Sequence, residues 1–356
     1  MKIKVLVVDD TIFYRKIVSD ILNEIPEIEV VGTANNGEIA LSRIRSLKPD
    51  LITLDVEMPI MNGLQLLEEI MNQKLNVKAI MLSSKTLKGS EATIQALQLG
   101  AFDFILKPDE ESADANTAKI RKEIKRIIQA FTRHRKMGIT FPKTTLPGEL
   151  IQKKAVTVTK PLKRTEKSHA VAIGISTGGP NALTKMIPQL PGDIGVPIFL
   201  VQHMPPAFTA SLAKSLDGKS SLTVKEAVNG EEVLPNIVYI APGGTQMMIA
   251  SAVGLKKIIR ISTDAPAENS CKPSVDYLFR SIAREYGSKS TCVIMTGMGA
   301  DGKLGVIIAK ASGAISIAQD EESCVVYGMP KVVIEAGLAD VVAPLENIAD
   351  EIIKTI

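Results

Sequence analysis

Three residues able to cleave an ester together stand far apart in this chain: Ser176, His203 and Asp301. Ser176 lies in Gly174-Ile175-Ser176-Thr177-Gly178, the G-x-S-x-G spacing that lifts a serine hydroxyl onto a tight turn between a strand and a helix. A serine nucleophile needs a base. Of the histidines, only His203, in Gln-His-Met-Pro-Pro, follows a buried-strand pattern, whereas His134 and His169 fall in or beside a basic, proline-punctuated stretch. Asp301, in Thr-Gly-Met-Gly-Ala-Asp-Gly, follows another such pattern and has the chemistry to orient an imidazole. Each residue also has a plainer reading. A lone histidine at a strand end is often structural, and an aspartate just before Gly302-Lys303 can cap a helix. A glycine-rich turn after a strand can bind a dinucleotide, but this one lacks the G-x-G-x-x-G order and a clear acidic ribose ligand on the next strand.

A second constellation occupies the N-terminal third. Asp9 and Asp10 end one apolar run, Asp55 ends another, and Lys107-Pro108 ends a third. At the carboxyl edge of a parallel sheet these segments converge, bringing three carboxylates and an ammonium into one small volume. Clustered carboxylates repel one another, and a hard divalent cation such as Mg²⁺ is the natural remedy. One carboxylate can then attack a phosphoryl donor while the metal and Lys107 neutralise charge on the transferred group. Taken singly, acidic residues at strand ends also begin loops and cap helices.

The elements that must position these groups are legible as alternating apolar runs and helical patterns. Residues 1 to about 130 hold strands at Ile3 to Val8, Glu29 to Thr33, Leu51 to Leu54, Ala79 to Leu82 and Phe102 to Leu106, five βα units that predict a parallel sheet. Residues 131–167 read as an interdomain linker, with Arg133-His134-Arg135-Lys136, Pro142, Pro147-Gly148, Lys153-Lys154 and Pro161 and no sustained period. From 168 to 356 a second α/β series runs through Ala170 to Ile175, Val196 to Val201, Ile237 to Ile240, Ile258 to Ile261, Thr291 to Met295 and Ala314 to Ile317. Helical patterns at Ser274 to Tyr286 and Gly302 to Ser312 separate some of them, and an antiparallel excursion is expected between 237 and 262, where turns replace helices. The fold class is therefore α/β twice over: a five-stranded parallel sheet, then a doubly wound, mostly parallel sheet. The two halves share no motif, so there is no internal repeat.

The N-terminal stretch resembles the flavodoxin-like receiver domain of response regulators, through Asp9-Asp10, Asp55 in Leu-Asp-Val-Glu-Met-Pro, Ser83 in Met-Leu-Ser-Ser, Phe104 and Lys107-Pro108. The resemblance implies Asp55 as phosphoacceptor and Lys107 as partner of the phosphate. It also implies Asp9, Asp10 and Asp55 as Mg²⁺ ligands with the backbone carbonyl of Glu57, and Ser83 and Phe104 as switch residues, Ser84 being the alternative to Ser83. From 169 to 352 the chain resembles the chemotaxis protein-glutamate methylesterases, through G-I-S-T-G-G-P, Q-H-M-P-P, Y-I-A-P-G, K-P-S-V-D, T-G-M-G-A-D-G and A-Q-D-E-E-S-C-V-V-Y-G-M-P in one order. That resemblance implies Ser176 as nucleophile, His203 as general base and Asp301 as its orienting carboxylate, with Thr177 and Met298 beside the substrate or oxyanion. Ile175 and Ala300 depart from the family's usual alanine and asparagine without touching the triad. The triad order Ser, His, Asp differs from that of ordinary α/β-hydrolases, so the same geometry would be independently built. The implied activity is demethylation of receptor methylglutamates and deamidation of receptor glutamines, with a chemotaxis histidine kinase as phosphodonor, methyl-accepting chemoreceptors as substrate and no cofactor in the hydrolase site. The unphosphorylated receiver is expected to restrain the hydrolase until Asp55 is phosphorylated.

Composition narrows the rest. A chain of 356 residues suits two cores. A formal charge of +3 with the two signs intermixed, and no tryptophan, gives no basic face with interleaved aromatics, which argues against nucleic acid. Cys271, Cys292 and Cys324, an odd count without C-x-x-C spacing, read as reduced thiols. As rival nucleophiles they are weak: Cys292 lies within an apolar strand and Cys324 has no histidine nearby in sequence. Met247, Met248, Met295 and Met298 read as packing. Without a signal-peptide pattern or a membrane-length apolar run, a cytoplasmic protein with no membrane insertion is expected. Two rival functions remain at this level: a response regulator whose second half binds a partner or DNA, and a serine hydrolase acting on a different ester.

Overall fold

A computed structural model describes residues 2–84, 86–108, 112–136, 157–158 and 166–356. The chain divides into two compact units, 1–140 and 141–356. The first runs β1 (Ile3–Val8), α1 (Ile12–Asn23), β2 (Ile28–Ala34), α2 (Gly37–Leu47), β3 (Leu51–Asp55), α3 (Gly63–Asn72), β4 (Lys78–Ser83), α4 (Leu87–Gln98), β5 (Asp103–Leu106) and α5 (Ala113–Lys136). Its sheet has the order β2-β1-β3-β4-β5, parallel throughout. Polar residues at the loop ends start the helices: Thr11, Asn36 and Thr86 each accept a hydrogen bond from the first turn, and Asn62 forms a reciprocal capping box with Gln65. The strand order reverses between β1 and β3, so Asp9, Asp10 and Asp55 emerge on either side of the switch point.

The second unit continues with β6 (Thr157–Val158), β7 (Ala170–Ile175), α6 (Gly179–Met186), β8 (Ile198–Gln202), α7 (Pro206–Asp217), β9 (Thr223–Glu226), β10 (Ile237–Ile240), β11 (Gln246–Ser251) and β12 (Lys257–Ser262). It ends with α8 (Val275–Tyr286), β13 (Ser290–Ile294), α9 (Lys303–Ala311), β14 (Ile315–Gln319), α10 (Met329–Glu335), β15 (Val341–Ala343) and α11 (Ile348–Ile353). The main sheet has the order β6-β15-β14-β13-β7-β8-β10-β9, with seven parallel strands and β6 antiparallel at one edge. Here the winding reverses between β7 and β13, and Ser176 and Asp301 follow those two strands.

The expected α/β architecture holds in both units, with differences in detail. The antiparallel excursion is confined to the β11–β12 pair. Strand β10, expected within it, lies in the parallel sheet between β8 and β9. Strands β9 and β15 escape the apolar pattern because one is a polar edge strand, Thr-Val-Lys-Glu, and the other only three residues long. Most of the expected linker lies outside the described residues, including Pro142, Pro147, Gly148, Lys153, Lys154 and Pro161. In its described part, α5 continues to Lys136 and Thr157–Val158 form β6. No helix among the described residues is long and apolar enough to cross a membrane.

One close approach fixes how the second unit is assembled. Helix α8 packs its first residue, buried Val275, onto β7 at Gly174, where an added Cβ would lie 2.3 Å from Val275 Cγ1 and 2.7 Å from Cγ2. Valine is stiff at χ1 and cannot swing aside. Gly174→Ala is therefore expected to destabilise this unit by about 1–3 kcal/mol through overpacking, read as a loss of about 2–4 °C per kcal/mol in thermal unfolding. Adding Val275→Ala should recover part of that loss. A Gly174→Ala transition unchanged from the parent protein would contradict this packing.

Candidate active site

Strand register brings the three distant residues of the second unit together. Ile175 is paired with Gln202 across β7 and β8, so Ser176 and His203 are the next residues out on neighbouring strands, and His203 N donates to Ile175 O at 3.2 Å. On the other side β7 pairs with β13, and Ser176 N donates to Thr296 O at 2.9 Å. The turn beyond Ser176 needs glycine: Gly178 has φ +80°, and a Cβ at Gly179 would collide with the Gln202 carboxamide at 1.8 Å. Gln202 Nε2 donates to the carbonyls of Ser176 at 3.0 Å and His203 at 3.1 Å, clamping the two strand ends to each other.

His203 Nε2 lies 2.8 Å from Asp301 Oδ2. Asp301 is buried and richly solvated by protein. Its Oδ2 also accepts from Val275 N at 2.7 Å, and its Oδ1 accepts from Ser274 Oγ at 2.8 Å, Asp276 N and Gly302 N at 3.1 Å, and Asn269 Nδ2 at 3.2 Å. The carboxylate thus sits on the N-terminus of α8, where unpaired N–H groups and the helix dipole favour an anion. Burial alone would raise its pKa, but the His203 hydrogen bond and charge, then the backbone N–H groups, hold it below the usual carboxylate range. Burial would likewise lower the His203 pKa; the hydrogen bond to Asp301, with contributions from Cys271, outweighs that and raises it to about 9. Because Asp301 holds Nε2, the free imidazole nitrogen is Nδ1, the reverse of the usual triad, in which the carboxylate holds Nδ1. Cys271 Sγ lies 3.7 Å from Nδ1.

Ser176 is 8% exposed and Thr177 5%. Thr177 O accepts from Thr296 Oγ1 at 3.0 Å. Gly297 runs so close to Ser176 that a Cβ on it would lie 2.7 Å from Ser176 Cβ, which brings the adjoining Met298, half-buried, into the same neighbourhood. Sequence reasoning missed Cys271 as a neighbour of His203, Gln202 as the clamp, and Ser274 and Asn269 as partners of Asp301. Ser274 had a visible signal, a serine just ahead of an amphipathic run, but its second role toward Asp301 depends on tertiary packing.

In the first unit, Asp9, Asp10 and Asp55 offer carboxylate oxygens within 4.8 Å of one another. Lys107 Nζ stands 2.8 Å from both Asp9 Oδ2 and Asp55 Oδ2, and 4.5 Å above the Tyr14 ring. Asp9 Oδ1 accepts from Thr11 N and Oγ1, whereas its buried Oδ2 has Lys107 nearby as an ion pair without an aligned hydrogen bond. Burial raises the Asp55 pKa to about 6; Lys107 opposes the shift while Asp9 and Asp10 add to it. An under-satisfied buried oxygen and a carboxyl that resists ionising are what a set of hard ligands looks like before a cation neutralises it, so the residues fit Mg²⁺. Asp10 and Glu57 also line an open cleft of about 500 Å³ with Asn62 and Lys88, of a size to admit a small phosphodonor. Arg15 fixes this edge by donating to the carbonyls of Asp9 and Asp10 at 2.8 and 2.9 Å. Ser83 is buried, its hydroxyl 3.3 Å from Gly89 O and 2.7 Å from Thr93 Oγ1, on the α4 side. Phe104 is half-buried on β5, and Ser84 Oγ is 3.0 Å from Thr86 Oγ1.

The family description "CheB methylesterase" matches residues 171–352, and "Response regulator receiver domain" matches residues 5–116. A protein-glutamate methylesterase/protein-glutamine glutaminase of Desulfotalea psychrophila is 56% identical over 99% of this chain and 98% of its own length. Its counterpart in Bacillus subtilis is 46% identical over 98% and 97%. The crystal structure of the Thermotoga maritima CheB methylesterase catalytic domain matches with a TM-score of 0.52 at 46% identity, covering 54% of this chain and all of that one. The serine, histidine and aspartate at the second switch point lie inside the matched region, the acidic pocket at the first lies inside the other, and both are carried by one chain in the same order as in full-length relatives: the protein belongs to the CheB methylesterase family and carries a response regulator receiver domain.

Proposed function

We propose that Ser176 is the nucleophile, His203 the general base and Asp301 its orienting carboxylate in a phosphorylation-regulated protein-glutamate methylesterase and protein-glutamine glutaminase. The observation that carries this reading is the 2.8 Å contact between His203 and a carboxylate seated on a helix N-terminus, at the strand end next to Ser176. Ser176 Oγ attacks the γ-carbonyl of a methylglutamate and its proton passes to His203 Nδ1. The tetrahedral intermediate expels methoxide, which takes that proton and leaves as methanol. Water, deprotonated in turn by His203, attacks the acyl-enzyme and frees glutamate and Ser176. A glutamine follows the same course with ammonia leaving. Both reactions place a negative charge on the substrate protein. Thr177 and Met298 border the acyl group.

In the receiver, Asp55 accepts the phosphoryl group and Lys107 pairs with it. Asp9, Asp10, Asp55 and the Glu57 carbonyl would hold Mg²⁺, which when bound neutralises charge on the transferred group. Ser83 and Phe104 act as the switch pair: the Ser83 hydroxyl leaves its α4 partners for a phosphoryl oxygen and Phe104 follows. The receiver occupies 1–130 with α5 extending it to Lys136, the linker lies within 131–167, and the hydrolase occupies 168–356 with Thr157–Val158 added to its sheet edge. The phosphodonor is a chemotaxis histidine kinase, the substrates are methyl-accepting chemoreceptors, and the setting is the cytoplasm.

Methanol release from methylated chemoreceptor membranes tests the hydrolase. Wild type should release it, and Ser176→Ala should lose at least about a thousandfold in rate; release retained by Ser176→Ala would remove the serine mechanism. The pH profile tests the base. With its pKa raised to about 9, His203 is protonated at neutral pH and gains its basic form as pH rises, so kcat/KM should climb about tenfold per unit from pH 7 and level off near 9. Asp301→Asn should move that inflection downward and lower the plateau by about 10⁴; an unmoved inflection would contradict the pairing. For the receiver, acetyl phosphate with Mg²⁺ should label the protein and raise methanol release. Labelling should vanish with EDTA or in Asp55→Asn, and equal release by wild type with and without phosphodonor would sink the regulatory coupling.

A further inference from the structure

The thiol beside His203 is held there by a turn built for the purpose. Glu268 and Cys271 exchange backbone hydrogen bonds, Glu268 N to Cys271 O at 3.0 Å and Cys271 N to Glu268 O at 2.7 Å. The two residues between them, Asn269 and Ser270, have φ of 52° and 62°. This is the left-handed pair of a two-residue hairpin turn, a conformation that Ser270 adopts reluctantly. The turn is pinned from outside: Arg280 grips Glu268 with two hydrogen bonds of 2.8 and 2.5 Å, and Asn269 Nδ2 donates to Asp276 at 2.8 Å and Asp301 at 3.2 Å. Gln246 Nε2 adds a contact to Cys271 O at 3.3 Å. The outcome is half-buried Cys271, with its Sγ 3.7 Å from His203 Nδ1.

From this geometry we propose that Cys271 and His203 form a thiolate–imidazole site for a thiophilic divalent ion such as Zn²⁺. A tetrahedral ion about 2.3 Å from sulfur and 2.0–2.1 Å from nitrogen sets those two ligands roughly 3.5–3.7 Å apart, which is the separation already present. The other imidazole nitrogen is bound to Asp301, and a carboxylate behind a ligating histidine is the usual support of a zinc site. With six hydrogen bonds already on it, Asp301 orients the ring and is not itself a ligand. At neutral pH binding releases two protons to solvent, one from the Cys271 thiol and one from the His203 imidazolium at Nδ1, and leaves two positions for water, so the ion exchanges, unlike one held by four protein ligands. Cys292 and Cys324 are buried in the core and take no part. The acidic pocket of the receiver, an all-oxygen set, selects a different class of ion. The ion occupies the Nδ1 lone pair, and the resulting inhibition, though not the site itself, rests on His203 being the base.

The test titrates full-length, metal-free protein with Co²⁺ in excess Mg²⁺, which fills the receiver. A thiolate-to-cobalt charge-transfer band should saturate at one equivalent, disappear in both Cys271→Ser and Cys271→Ala, and be displaced by Zn²⁺. No band in wild type, or a band that survives in Cys271→Ser, overturns the site. In parallel, methanol release with and without Zn²⁺ is compared with each protein's own metal-free rate. Wild type should fall at least tenfold, and Cys271→Ser should need at least ten times more Zn²⁺ for the same loss. A normal cobalt band with no inhibition of wild type would overturn the blocking step and the assignment of His203 as base, while leaving the metal site intact.

Discussion

A buried carboxylate, Asp301, is shared between a helix and a histidine, and most of the second unit is arranged around satisfying it. Left alone, a desolvated anion is among the most expensive groups a protein can bury. Here it is seated on the first turn of α8, and the N-cap Ser274 turns its hydroxyl to it as well as to Tyr277 N. That seat requires α8 to start hard against β7, which only Gly174 permits, and β7 is the strand that ends in Ser176. One packing constraint therefore connects the carboxylate, the imidazole it holds and the serine that follows the strand between them.

The receiver pocket follows the opposite logic. There the carboxylates outnumber their partners: Asp9 keeps one buried oxygen without an aligned donor, and a single ammonium, Lys107, is divided between Asp9 and Asp55. Burial makes the shortage worse, as the raised pKa of Asp55 shows. An over-satisfied anion is a fixed tool, ready without further binding. An under-satisfied cluster is a receptor whose structure is completed by what arrives, a metal ion and then a phosphoryl group. The same fold principle, strand ends meeting at a switch point, serves both because loop chemistry, not sheet geometry, sets the balance of charge.

What was legible in the sequence follows from where each determinant lies. Strands buried on both faces announce themselves as Val, Ile and Leu runs, so β1, β3, β4, β7, β13 and β14 could be placed within a residue or two, and with them the residues that follow each strand. The edge strands of the second unit could not: β9 buries only Val224 fully, and β6 is two residues long. The Ser-His-Asp set was readable because each member follows a buried strand, directly for Ser176 and His203 and after a short loop for Asp301. Cys271 was not, because it reaches His203 through a turn whose conformation depends on Arg280, Asn269 and Asp276, contacts that no local pattern encodes. Gln202 was hidden differently: it looks like the polar end of a strand, and its role comes only from register, which sets it beside Ser176 and against Gly179.

The strength of the Asp301–His203 contact creates a tension that bears on catalysis. A folded-state pKa near 9, above the ordinary 6.5 of histidine, means that His203 contributes stability fully below about pH 6.5 and loses it as pH rises through 9. Asp301, depressed, contributes above its ordinary range and loses that contribution as acid approaches its lowered pKa. The pair thus steadies the fold across neutrality, yet by favouring the imidazolium it leaves the smaller share of His203 free to accept a proton at pH 7. The same interaction returns that loss at the transition state, where the imidazolium must form and Asp301 is already aligned to hold it. Substrate that covers the partly exposed ring, 14% open to solvent, would deepen its desolvation and favour the neutral form before attack. The carboxylate then contributes most at the moment the proton moves, which is the differential stabilisation that a base on a rigid support can provide.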